Sequence, residues 1–113
     1  MLTIESLKEY GANVEEGLKR CMDNEEFYLK MVRMLIEKNT VGALKEAIEA
    51  NDLDKAFEAA HALKGVVTNL SLTPISDPAV EITELLRSRT EMDYTDLVNK
   101  ICGQMDALTA LDN

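Results

Sequence analysis

The chain has one histidine, in the segment Ala60-His61-Ala62-Leu63-Lys64-Gly65. A lysine follows it by three residues and a glycine by four. On a helix, residues three and four apart are surface neighbours. Lys64 therefore places an ammonium beside the ring, and Gly65 leaves the ring uncovered on that side. A ring nitrogen, a nearby cation and a gap for an approaching partner suit a histidine that carries a phosphoryl group.

That chemistry needs a helix that turns the ring outward. Asn51-Asp52-Leu53-Asp54 reads as a cap, and helical periodicity runs on to about Leu70. The apolar stripe is Leu53, Ala56, Phe57, Ala60, Leu63, Val67 and Leu70, spaced by threes and fours. At about 100° per residue, His61 points roughly 125° from the centre of that stripe. Gly65 and Thr68 flank it, and Lys64 lies nearer the stripe. Asp54 and Glu58 share its face, two turns and one turn earlier. A lone exposed histidine is most often an ordinary surface residue. The glycine alters that reading, because a mid-helix glycine costs about 1 kcal/mol relative to alanine. Its presence one turn from the histidine implies that something comes close to the backbone there.

The rest of the chain is also helical in pattern. Of 113 residues, 46% are hydrophobic but only 4% aromatic, which calls for an aliphatic core. Five glycines and two prolines are too few for a turn-rich β protein. Leu2 to Tyr10 reads as a short helix closed by Gly11, and Asn13 caps a second one to about Cys21. Asp23 to Glu26 starts a helix with Phe27, Met31, Met34 and Leu35 at helical spacing, as far as Asn39-Thr40. Val41 to Ala50 follows, with Leu44, Ala47 and Ile48 on one side. Thr73-Pro74 and Asp77-Pro78 are competing start signals, so an irregular or kinked start is expected within 73–78, then helix to about Arg89. A last helix spans about Asp93 to Leu111, with Leu97, Ile101, Met105 and Leu108 inward. The methionines read as flexible core filler. Short connections favour antiparallel neighbours. The expected fold is all-α: an up-down antiparallel four-helix bundle with additional short N-terminal helices. It forms a single domain over 1–113, with an N-terminal helical segment at 1–22 and the bundle at 23–111.

Charge and composition remove several classes. A net charge of −9 argues against nucleic acid and anionic membrane surfaces, which need basic patches. Cys21 and Cys102 have no metal spacing and read as ordinary thiols. No apolar run approaches the roughly 20 residues that span a bilayer, and the N-terminus lacks a signal-peptide pattern. The chain reads as cytoplasmic. A bundle metallohydrolase would need paired Glu-x-x-His motifs, and only Glu58 precedes a histidine by three. There is no G-x-x-x-x-G-K-[ST] loop and no Gly-rich nucleotide loop. Autophosphorylation from ATP is therefore not expected.

The segment from Ala60 to Gly65, followed by Asn69-Leu70, resembles the signature of histidine-containing phosphotransfer (HPt) domains: histidine, leucine, lysine, glycine, small residues, then leucine-glycine. The likeness covers roughly residues 23 to 110. It implies that His61 accepts a phosphoryl group on its distal ring nitrogen and that Lys64 holds the phosphoryl oxygens. It implies that Gly65 leaves room for the partner. Thr68 either donates a hydrogen bond to the phosphate or simply keeps that side low, with Asp54 and Glu58 as docking and supporting residues. Ser71 stands where glycine is usual, and Thr83 stands where some members place a glutamine near the ring.

The resemblance further implies a phosphorelay intermediate working between receiver domains of response regulators or a hybrid sensor kinase. It is no enzyme in its own right and carries no cofactor or metal of its own; Mg²⁺ belongs to the partner's receiver domain. The alternative is a non-catalytic module that keeps the bundle and only docks receivers. Nothing demands oligomerisation, so a monomer is expected. The imidazole must be neutral to attack, and an unperturbed histidine is largely neutral at cytoplasmic pH. Lys64 should help to keep it so, and Asp54 and Glu58 would oppose this if close.

Overall fold

The computed structural model describes residues 1–38 and 40–112. Its helices are α1 (Ile4–Tyr10), α2 (Val14–Arg20), α3 (Glu25–Glu37), α4 (Thr40–Glu49), α5 (Leu53–Asn69), α6 (Thr73–Arg87) and α7 (Thr95–Ala110). Among the described residues there is no strand. The fold is all-helical, as the sequence implies.

The helix of interest, α5, packs most closely against α6 and α4; α6 continues onto α7, and α7 returns to α4. Only residues 70–72 separate α5 from α6, so the two run antiparallel. The core is mostly aliphatic, with Tyr28 and Tyr94 also buried in it. Ala56, Ala60, Leu63 and Val67 of α5 meet Ile75, Ala79 and Ile82 of α6, with Leu44, Ile101 and Leu108 closing the other sides. Leu53 and Phe57, also in the expected stripe, are only half-buried. The molecule measures 41 × 25 × 19 Å. At 1.5 Å per residue, α5 is about 25 Å long and covers more than half of the long axis. His61 is the ninth of the 17 residues of α5 and so lies at the middle of that helix rather than at an end.

Local chemistry sets the boundaries. Asp52 caps α5 by accepting from the Lys55 amide, and Asn13 and Asn24 cap α2 and α3 in the same way. Thr3 and Ser6 form a reciprocal capping box on α1, which Gly11 closes at φ 111°. The start of α6 resolves the two competing signals in favour of the first. Thr73 is its first helical residue, and Pro78 is carried inside the helix. Leu72 and Ile75 are fully buried and anchor that first turn, while the Pro78 ring is itself buried. The start is therefore at the upstream proline, with helix running continuously past the second.

The stripe of α3 is rotated from the expected one. Tyr28, Val32 and Leu35 face the core, whereas Phe27 and Met34 are exposed and Met31 is half-buried. On the inward side, the Tyr28 hydroxyl donates to the Leu70 carbonyl at 2.8 Å, so the phenol is buried with its polar atom satisfied. Asn39, where the sequence places the end of this helix, lies outside the described residues.

The N-terminal segment packs on the bundle. Leu2, Leu7, Ala12, Val14 and Cys21 join the common core. The Tyr10 hydroxyl donates to the Gln104 carbonyl at 3.0 Å, and the Leu2 amide to Asp112 Oδ1 at 3.2 Å. Arg33 lies 3.5 Å from the same carboxylate oxygen. No helix among the described residues is long and apolar enough to cross a membrane.

Candidate functional site

The buried stripe of α5 fixes where its other faces point. Ala60 and Leu63 are fully buried, so His61 and Ala62 between them turn outward and are exposed. Gly65, one turn on, is also exposed, and a Cβ built there would meet nothing within 4 Å. No contact among the described residues requires a glycine at this position. Lys64 is half-buried between this open face and the core stripe. Among the described residues its ammonium pairs with no carboxylate, unlike Arg20, Arg33, Arg87 and Arg89. The structure therefore brings together an exposed imidazole, an uncommitted cation and an uncovered stretch of backbone.

Thr68 is committed to the backbone. Its hydroxyl donates to the Lys64 carbonyl at 2.7 Å, with the Gly65 carbonyl at 3.4 Å. A hydroxyl has one proton, so Thr68 in this state has none for a phosphate. Of its two expected roles, keeping the surface low is the one the geometry allows. Asp54 is also occupied: Arg89 holds it at 2.6 Å, across the open end of the α5–α6 pair. Glu58 is exposed and forms no ion pair among the described residues. Thr83 is fully buried, and its hydroxyl donates to the Ala79 carbonyl at 2.6 Å. It does not orient the ring.

The ring has a different neighbour. Phe57 stacks on His61 with centroids 5.6 Å apart and planes inclined by 17°. The guanidinium carbon of Arg87, from α6, lies 5.5 Å from the Phe57 centroid. Neither residue stands out as functional in the sequence, where Phe57 passes for a core residue. The signal that could have found it is the four-residue spacing of an aromatic and a histidine on one helix.

Beyond the C-terminal end of this face, the chain converges on the α5–α6 turn. Ser71 takes φ 55°, the left-handed region that favours glycine. This is the position where the sequence departs from the expected leucine-glycine. Arg20 donates to the Thr68 carbonyl at 2.5 Å and to Ser71 Oγ at 2.9 Å, and the Asn13 amide donates to the Ser71 carbonyl at 2.9 Å. A cation at a helix C-terminus satisfies carbonyls that have no partner within the helix.

The family model described as the Hpt domain matches residues 30–111, which include α5 and its histidine. The chain belongs to the Hpt domain family. No curated protein and no solved structure matches it. Hpt domains are helical bundles that carry out histidine phosphotransfer in phosphorelays and interact with receiver domains. The matched region begins inside α3, so α1 and α2 of this Hpt protein lie outside it. Among the described residues, no group of three His, Cys, Asp or Glu side chains could hold a metal ion. Burial raises the Cys21 and Cys102 thiols above their ordinary values, which disfavours the thiolate at both.

Proposed function

We propose that this Hpt protein relays a phosphoryl group between receiver aspartates, with His61 as the acceptor and donor. The observation that carries the reading is the exposed His61 at the middle of α5, beside open Gly65 and Lys64, which forms no ion pair among the described residues. The distal ring nitrogen attacks the phosphorus of a receiver's aspartyl phosphate. The N–P bond forms as the acyl O–P bond breaks, and the aspartate carboxylate leaves with the electron pair. Return transfer reverses these steps. Phosphoryl transfer depends mainly on positioning and charge neutralisation. Lys64 supplies one charge from this chain, and the partner supplies the rest, including Mg²⁺. With no nucleotide loop in the sequence, the phosphoryl group comes from a partner rather than from ATP. The protein acts as a monomer that docks one receiver at a time.

Incubation with phosphorylated receiver domains tests this. Label is expected on the wild-type chain and not on His61→Gln. Failure of every receiver from the source organism to label the chain would overturn the reading. Receiver binding that survives His61→Ala, without transfer to the wild type, would make it a docking module instead.

A further inference from the structure

A nucleophile on an exposed side chain works only if its ring is held. Among the described residues, no side chain hydrogen-bonds either nitrogen of His61. Thr83 is buried and bonded to Ala79. The contact that restrains the imidazole is the Phe57 ring, stacked at 5.6 Å and 17° one turn earlier on the same helix. Phe57 is itself held. It packs against the core on one side, and Arg87 of α6 lies over its ring at 5.5 Å. Arg87 also lies 3.6 Å from Glu84 on its own helix, an exposed ion pair.

We propose that Phe57 is the positioning residue of His61, with Arg87 as its brace. This inference rests on His61 being the phosphoryl acceptor. A stack restrains an imidazole by its face. It narrows rotation about the side-chain bonds and leaves both ring nitrogens on free edges, one for phosphorus and the other for exchange of its proton with water. A hydrogen bond to one nitrogen would instead fix the tautomer. The arrangement also links the ring to α6, so the orientation of His61 depends on the α5–α6 pairing and not on α5 alone.

Phe57→Leu keeps an apolar side chain but removes the stack. Phe57→Tyr keeps the stack, and Arg87→Gln removes the brace from an exposed position. Three-bond couplings on the free protein report the His61 rotamers. Single-turnover transfer from a phosphorylated receiver at varied protein concentration separates maximal rate from half-saturation. One dominant rotamer is expected in the wild type and in Phe57→Tyr, and averaging in Phe57→Leu. The maximal rate in Phe57→Leu should fall about two- to tenfold, the factor set by the usual worth of an aromatic pair. Half-saturation should not change, Phe57→Tyr should restore the rate, and Arg87→Gln should fall between. An unchanged rotamer distribution in Phe57→Leu would overturn the proposal. So would an effect confined to half-saturation, which would place Phe57 in the docking surface. If Phe57→Leu fails to fold, wild-type couplings and rate in Arg87→Gln would overturn it. If the wild type takes no label at His61, the relay reading fails, while the couplings still decide the stack.

Discussion

The guanidinium of Arg20, on α2, donates to Ser71 Oγ at 2.9 Å and joins positions 51 residues apart. Ser71 holds φ 55°, which costs a non-glycine residue about 1–2 kcal/mol. Two substitutions separate the strain from the bond. Ser71→Ala keeps the strained backbone and loses the hydrogen bond, so stability should fall by about 1 kcal/mol. Ser71→Gly also loses the bond but relieves the strain, and should stay within about 1 kcal/mol of the wild type. Urea unfolding measures both. Equal stability of Ser71→Ala and wild type would show that the Arg20–Ser71 hydrogen bond contributes nothing.

Gly17 on α2 is buried against the Tyr28 ring. A Cβ at this position would lie 2.8 Å from the ring's Cε1, Cζ and hydroxyl oxygen. The ring has little freedom to retreat, because Tyr28 is fully buried and bonded to Leu70. Gly17→Ala should therefore destabilise by about 1–3 kcal/mol, despite alanine's better helix propensity. An unfolding midpoint equal to or above wild type would show that α2 can shift without cost.

Much of this fold is legible in the sequence because its helices are periodic and several of them carry side-chain caps. The outward His61 and most of the α5 stripe follow from 3.6-residue periodicity, and cap chemistry marks Asn13 and the segments Asp23–Glu26 and Asn51–Asp54, within which Asn24 and Asp52 are the caps. What was not legible depends on tertiary contacts. On α3, Phe27 and Met34 are as apolar as Tyr28 and Val32, and which pair turns inward depends on tertiary contacts such as the bond from Tyr28 to the Leu70 carbonyl. Thr68 suits a phosphate contact until its hydroxyl is found donating to the Lys64 carbonyl. Phe57 reads as core because its stripe neighbours are core. Its contact with Arg87 depends on how α6 lies, which no local pattern encodes.

Alkaline pH should unfold the protein partly through Tyr28. Burial pushes its phenol up to about 12, and Cys21 acts in the same direction. The fold thus favours the neutral phenol, whereas the unfolded chain ionises near pH 10. The contribution is fully present below pH 10 and is lost as pH rises from 10 to 12, on the order of 2 kcal/mol in all. Tyr10, also raised by burial, adds to the same decline. Urea midpoints from pH 8 to 12 should fall more steeply for wild type than for Tyr28→Phe. Parallel curves would rule out the Tyr28 phenol as a cause.

Lys64 should matter to transfer and little to folding. It forms no ion pair among the described residues, and a partly exposed lysine of this kind changes stability by about 0.5 kcal/mol. A charge-assisted contact to phosphoryl oxygens is worth about 1.5–3 kcal/mol, so Lys64→Ala should slow transfer by roughly ten- to a hundredfold. Lys64→Arg keeps the charge and should recover part of the rate. Quench-flow transfer from a phosphorylated receiver measures this. Equal rates for Lys64→Ala and wild type would remove the residue from the site.

Gly65 gives the sharpest separation of stability from function. Its Cβ position is open, so Gly65→Ala should stabilise α5 by about 1 kcal/mol. Gly65→Gln should also stabilise it, since glutamine is a far better helix former than glycine. A partner approaching His61 along this face would meet that longer side chain. Transfer to Gly65→Gln should therefore drop at least tenfold while its melting temperature rises, with Gly65→Ala intermediate in rate. Unfolding cannot produce that combination, because the affected variant is the more stable one. Normal transfer by Gly65→Gln would mean that the open backbone is not where the receiver docks.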